Sequence, residues 1–212
     1  MSIANPARRA SRASRALLAV LLAALVSLSG AASADSAAEA LVKRTAEDTL
    51  ATLQSRRSEL SGNPTAIYNL VGSKLAPHFD FELITRSAVG VDWNKATAAQ
   101  RAELVSSFRE LLISTYAKSL AKYSGQEVTY KPSRPGTRAG TVVVPTEVRS
   151  TGAPPIPIDY RMHKESGSWK VYDLVIENVS MISSYRGQFR TTIARSGIDG
   201  LIRELQAKAR GA

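Results

Sequence analysis

Trp169-Lys170-Val171-Tyr172-Asp173-Leu174-Val175-Ile176 reads as a β-strand that runs through Asn178-Val179-Ser180 into a helix carrying Tyr185, Arg186 and Phe189. Strict alternation puts Trp169, Val171 and Val175 on one face and Tyr172, Leu174 and Ile176 on the other. Both faces are largely apolar, so the strand is expected to be covered on both sides and to lie centrally in its sheet. Asp173 interrupts the first face, and a carboxylate there must find partners or neutralise. It is expected to accept hydrogen bonds from a helix N-terminus, or to pair with Arg161 or Arg186.

The segments before it extend the sheet. Ile156 to His163 alternates most clearly, with Ile156, Ile158, Tyr160 and Met162 against Pro157, Asp159, Arg161 and His163. Thr141 to Arg149 places Val142, Val144 and Val148 together, and Gln126 to Lys131 comes before it. Ser133 to Gly140 carries a turn at Pro135-Gly136, and Ser150 to Pro155 and Glu165-Ser166-Gly167 make the later turns. Short connections at this spacing predict a four-stranded antiparallel meander.

Helical signals flank the strands. Ala37 to Leu60 contains no Gly or Pro and is rich in helix formers. Thr65 to Leu75 puts Ile67, Leu70, Val71 and Leu75 on one side, and Phe79-Asp80-Phe81 opens a short helix ending near Gly90. Thr97-x-x-Gln100 is a capping box that starts a long helix to about Tyr123, with Leu104, Phe108, Leu111, Leu112, Tyr116, Leu120 and Tyr123 at spacings of three and four. Two closing helices, Ser180 to Arg195 and Asp199 to Ala209, are divided at Gly197. Helices before and after a run of strands predict an α+β fold, with helices packed on a curved, twisted four-stranded antiparallel sheet that encloses a cavity.

Residues 1–34 read as a secretory signal peptide: Arg8, Arg9, Arg12 and Arg15, then an apolar run from Ala16 to Leu28, then Ala32-Ser33-Ala34 as the cleavage site. Residues 35–212 are then one exported domain. Removing the leader takes four of the 28 Lys and Arg and none of the 18 Asp and Glu, so the mature chain carries +6. Export makes nucleic acid an unsuitable partner for that charge, and leaves anionic lipid headgroups, an acidic protein surface or simple solubility. The absence of cysteine excludes disulfides and a lipid-modified N-terminal cysteine.

Catalytic and metal signals are weak. His78 and His163 are the only histidines and lack zinc spacing. No nucleophile elbow, phosphate loop or dinucleotide fingerprint occurs. Asp173 in an apolar pocket could serve as a general base, but no second acid, base or oxyanion donor accompanies it in sequence. Arg186, Arg190, Arg195, Arg203, Lys208 and Arg210 form a basic stripe on the closing helices, either a docking face or solvated surface.

Ten short patterns occur in order: Pro77-x-Phe79-Asp80, Gly90-x-x-Trp93, Ala96-Thr97 with Gln100, Phe108 with Leu111-Leu112 and Thr115-Tyr116, Pro155-Ile156, Asp159-Tyr160-Arg161, Trp169-Lys170-Val171-Tyr172-Asp173, Val179-Ser180, Tyr185-Arg186-x-x-Phe189 and Gly197-Ile198-Asp199-Gly200-Leu201. Together they resemble the MlaC, or toluene-tolerance, family of periplasmic phospholipid-binding proteins. Ser184, where members often show Asn, and Asn178, where Gly is common, depart from the pattern.

The resemblance implies a non-catalytic periplasmic carrier without a cofactor. It would shuttle glycerophospholipids between the outer and inner membranes and so maintain outer-membrane lipid asymmetry. Its implied partners are an inner-membrane ABC transporter complex with an MCE-domain ring and an outer-membrane lipoprotein–porin complex. Roughly 30 methylenes at about 0.8 kcal/mol each oppose free passage through water by on the order of 20 kcal/mol. A carrier must therefore enclose the chains in an apolar cavity of about 1,000 Å³, the top of the usual pocket range. The candidate lining is Val71, Leu75, Phe79, Phe81, Ile84, Phe108, Leu112, Tyr116, Val142, Val144, Ile156, Ile158, Tyr160, Leu174, Ile176, Met181, Tyr185 and Phe189. Periodicity alone leaves open whether these residues surround a hollow or fill a core. A pocket isomerase built on Asp173, a ligand-free adaptor and a hopanoid binder are the competing readings.

Overall fold

The computed structural model describes residues 29–211, with side chains from Ser36 onward. The expected signal peptide, residues 1–34, lies outside the described residues except for a short stretch of backbone before its expected cleavage site. The chain runs through α1 (Ser29–Ser55), α2 (Arg57–Leu60) and α3 (Pro64–Leu70), then a π-helical turn (Val71–Leu75) and a 3-10 turn (Ala76–His78). It continues through α4 (Phe81–Val89), a second 3-10 segment (Gly90–Lys95) and α5 (Ala98–Leu120). Strands β1 (Glu127–Tyr130), β2 (Arg134–Pro135), β3 (Thr141–Arg149), β4 (Ile156–Glu165), β5 (Ser168–Ile176) and β6 (Val179–Ser180) follow, and α6 (Met181–Gly211) closes the chain.

Local chemistry sets the helix starts. Asn63 accepts from the Ala66 N–H ahead of Pro64, and Asp80 Oδ1 accepts from the Leu83 N–H at 2.8 Å. Thr97 and Gln100 form the full capping box of α5. Each cap satisfies a backbone donor that the first helical turn leaves orphaned. Gly197 sits inside α6 at φ 70° and ψ −176°, a conformation that only glycine adopts cheaply, and it kinks the helix into two arms.

The sheet is antiparallel, in the order β1-β3-β4-β5-β6, with β2 also paired to β3. It thus has six strands where the sequence predicted four. The additional pieces, β2 and β6, are two residues each, too short to show a periodic pattern. The expected central position of β5 is not found. One edge pairs with β4 along its length, while the other meets only the two residues of β6 and a bridge from Val171 to Phe79. Lys170 Nζ donates to the Pro77 carbonyl and the Asp80 N–H donates to the Val171 carbonyl, so the entry to α4 covers this edge.

A bulge also breaks the expected alternation in β5. Arg161 pairs with Asp173, but Met162 pairs with Val171, which leaves Tyr172 without an opposite residue. Val171 therefore shares a face with Leu174 and Ile176, and Asp173 stands with Val175 opposite Arg161 and Asp159. Two cores result. The larger joins α4, α5, α6, the start of α1 and the sheet, and the smaller gathers Leu53, Leu60, Ile67, Leu70, Val71, Ile113 and Ala117.

Candidate functional site

A cavity of about 560 Å³ lies between the sheet and the helices. Its floor is the row Val148, Ile156, Ile158, Tyr160 and Met162, continued by Val171, Leu174 and Ile176. The antiparallel register places these residues side by side, and the bulge at Tyr172 keeps Val171 in the row. Opposite stand Leu112, Ile113, Tyr116 and Leu120 of α5, while Val71, Leu75, Ala76, Phe79 and Phe81 close one side. Leu41, Val42, Thr45, Ala46, Thr49 and Leu50 of α1 make the remaining wall, and Met181 caps one end.

Twelve of the eighteen candidate residues line this cavity: Val71, Leu75, Phe79, Phe81, Leu112, Tyr116, Ile156, Ile158, Tyr160, Leu174, Ile176 and Met181. The other six do not line it and pack in or against the larger core, Tyr185 half-buried at its edge. Phe108 meets Tyr185 and Phe189 edge-on, with ring centroids 4.8 and 4.9 Å apart. Ile84 is fully buried in the same cluster, and Val142 and Val144 belong to it with Ala38 and Val42 of α1. All six carry the same periodic signal as the residues that border the cavity, because a helix or strand face reads alike over a hollow or a core.

The α1 wall was missed by the sequence reading. Leu41, Val42 and Leu50 share this wall with Thr45, Ala46 and Thr49, so half of it is Ala and Thr and the apolar stripe is interrupted. Thr49 is buried, and its hydroxyl donates to the Thr45 carbonyl at 2.7 Å, so it presents a methyl to its surroundings at no hydrogen-bonding cost.

The exposed lining residues are Ser119, Lys122 and Ile156, the last at 39%. Gln126 and Ser150 adjoin them, because they continue the β1–β3 register by one step beyond Glu127 and Arg149. The cavity therefore opens where α5 passes into β1, on a polar rim. Inside, burial pushes the hydroxyl pKa of Tyr116 and of Tyr160 up to about 12. His78 also lines the cavity; burial first, then the charges of Lys170 and Arg44, hold its pKa below the usual imidazole value.

Asp173 is bound away in the structure's framework. Oδ2 accepts from Arg161 Nη1 at 3.0 Å and from Ser180 Oγ at 2.7 Å, and Oδ1 accepts from the Ile182 N–H at 3.2 Å. It thus uses the helix N-terminus and Arg161 together, while Arg186 donates to the Ser87 carbonyl instead. Asp80 also holds His163, Oδ2 to Nε2 at 2.9 Å, which ties the N-cap of α4 to β4. Within the basic stripe, Arg195 and Lys208 both pair with Glu204, so those two charges are partly offset within α6.

The comparisons with known proteins agree with this architecture. The chain is 27% identical over 172 residues to the intermembrane phospholipid transport system binding protein MlaC of Haemophilus influenzae, covering 80% of each chain. It is 29% identical over 162 residues to the toluene tolerance protein ttg2D of Pseudomonas putida, covering 75% of this chain and 74% of that one. Among solved structures, it matches a phospholipid-binding protein from Ralstonia solanacearum in complex with a phospholipid. That match has a TM-score of 0.75 and 36% identity, and covers 82% of this chain and 97% of the other. The model of the MlaC protein family matches residues 43–207, which include every lining residue of the cavity except Leu41 and Val42, and the chain belongs to that family.

Proposed function

We propose that this protein is a periplasmic phospholipid carrier that holds acyl chains in the cavity between sheet and helices. It shuttles glycerophospholipid between the outer and inner membranes without catalysing a reaction. Its exchange partners are an inner-membrane ABC transporter with an MCE-domain ring and an outer-membrane lipoprotein–porin assembly. The supporting observation is the cavity itself: aliphatic and aromatic side chains from α1, α5 and four strands face one hollow that opens at a polar rim. Hydrocarbon moved there from water gains about 25 cal/mol per Å², and few groups inside would lose hydration.

At about 560 Å³ the space is smaller than the roughly 1,000 Å³ expected for two full chains. Aromatic side chains occupy part of the interior, and Phe79, Phe81, Tyr116 and Tyr160 are only half-buried on its walls. They can yield to a longer chain at small packing cost. The isomerase reading is disfavoured because the oxygens of Asp173 are engaged by Arg161, Ser180 and the Ile182 N–H rather than offered to a substrate.

The direct test is to purify the exported protein without detergent, denature it and identify the released lipid by mass spectrometry. Stoichiometric diacyl phospholipid is expected. A polycyclic lipid in its place would redirect the substrate, and absence of lipid together with failed uptake from vesicles would overturn the carrier reading.

A further inference from the structure

The charge pattern of the cavity wall is uneven. Of the residues that line it, Lys122 alone carries a permanent charge, and it stands at the open end beside Ser119, Gln126 and Ser150. Several other lysines have partners: Lys74 pairs with Asp48, Lys131 with Glu147, and Lys118 donates to the Gly211 carbonyl. Among the described residues, no carboxylate or carbonyl takes the Lys122 ammonium. Its backbone N–H donates to the Ser119 carbonyl, which fixes the turn and keeps the residue on the rim.

The position is unfavourable for an anion unless a cation is present. Helix α5 ends at Leu120, and its last carbonyls put partial negative charge near the rim. A phosphate held at the cavity mouth would meet that charge, and Lys122 is the side chain placed to offset it. An ammonium is a compact, hydrated point charge on a flexible stem, suited to a phosphate that stays wet. Gln126 is less available, because its amide is occupied with Ser124 on both sides.

Resting on the carrier reading, we propose that Lys122 is a specificity-determining residue that contacts the phosphate of the bound lipid at the cavity mouth. The protein thereby selects phosphate-bearing diacyl lipids over neutral lipids with the same chains. Selection is electrostatic and takes place at the rim, while affinity comes from the apolar interior.

The test is a competition. Protein is loaded from neutral maltoside micelles holding equal amounts of phosphatidylglycerol and diacylglycerol with identical acyl chains, and the ratio bound is read by mass spectrometry. An exposed charge pair should favour the phosphate lipid by about fivefold more in the natural protein than in Lys122→Ala. Lys122→Arg should keep the preference, Lys122→Glu should reverse the increment, and 0.5 M salt should shrink it.

Equal ratios in the natural protein and Lys122→Ala, with both lipids still loading, would overturn this inference and leave the carrier reading standing. Failure of both lipids to load would overturn both. A lysine that only balances the helix end would alter melting temperature and leave the ratio unchanged, which also counts against the proposal.

Discussion

Arg161 and Asp173 face each other across the β4–β5 ladder, and their side chains meet at 3.0 Å on the side of the sheet away from the cavity floor. The carboxylate is almost fully buried, whereas the guanidinium is 41% exposed. Asp173 also binds Ser180 and the first turn of α6, so one side chain joins β4, β5 and the closing helix. Removing it strands the buried Ile182 N–H and leaves the Ser180 hydroxyl without this acceptor, whereas removing the arginine leaves a carboxylate that keeps two donors.

Asp173→Ala is therefore expected to cost about 3 kcal/mol of stability, and Arg161→Ala only about 1 kcal/mol. Urea unfolding of both variants checks the order. Lipid loading per folded molecule should be unchanged in each. A folded Asp173→Ala protein that failed to load lipid would give the carboxylate a role in binding.

Ile158 and Ile84 separate the hollow from the core. Ile158 lies on the cavity floor and is half-buried, while Ile84 is fully buried in the packed cluster. Ile158→Asp puts a charge against the acyl chains and should reduce loading at least tenfold in a protein that still folds. Ile84→Ala should cost about 3 kcal/mol in stability and leave loading of the folded fraction intact. Circular dichroism with lipid quantification measures both effects.

Tyr116 and Tyr160 make the fold sensitive to alkali. Their pKa values are raised by burial from the ordinary 10 to about 12, so the folded protein holds these protons after an unfolded chain would release them. Their contribution is complete below about pH 10 and is lost as pH rises through about 12, at about 2 kcal/mol for each ring. Stability measured from pH 9 to 12 should fall across this window. Tyr160→Phe and Tyr116→Phe should each flatten the fall.

Most elements were legible because their signals are local. The alternation of Ile156 to His163 put Ile156, Ile158, Tyr160 and Met162 on one face of the sheet, the capping box fixed the start of α5, and Gly197 marked the kink of α6. The bulge at Tyr172 was not legible, since it depends on pairing with β4 and no local residue announces it. Parity therefore put Val171 on the wrong side of Leu174. The α1 wall escaped notice because Ala37 to Leu60 reads as helix by composition, and which of its faces becomes interior is set only by the neighbouring sheet. Likewise, Phe108 and Leu112 sit one helical turn apart on α5, yet one fills a core and the other borders a hollow. That distinction arises only from the separation of packed elements.

The exposed wall residues Ser119, Lys122 and Ile156 cluster at one end of the hollow. An amphiphile seated there has a single admissible polarity: its tails point inward and its head stays at the doorway. For a carrier, entry and exit would retrace one path in opposite senses, so a surface that gives up a molecule and one that receives it would have to approach the same end of the protein.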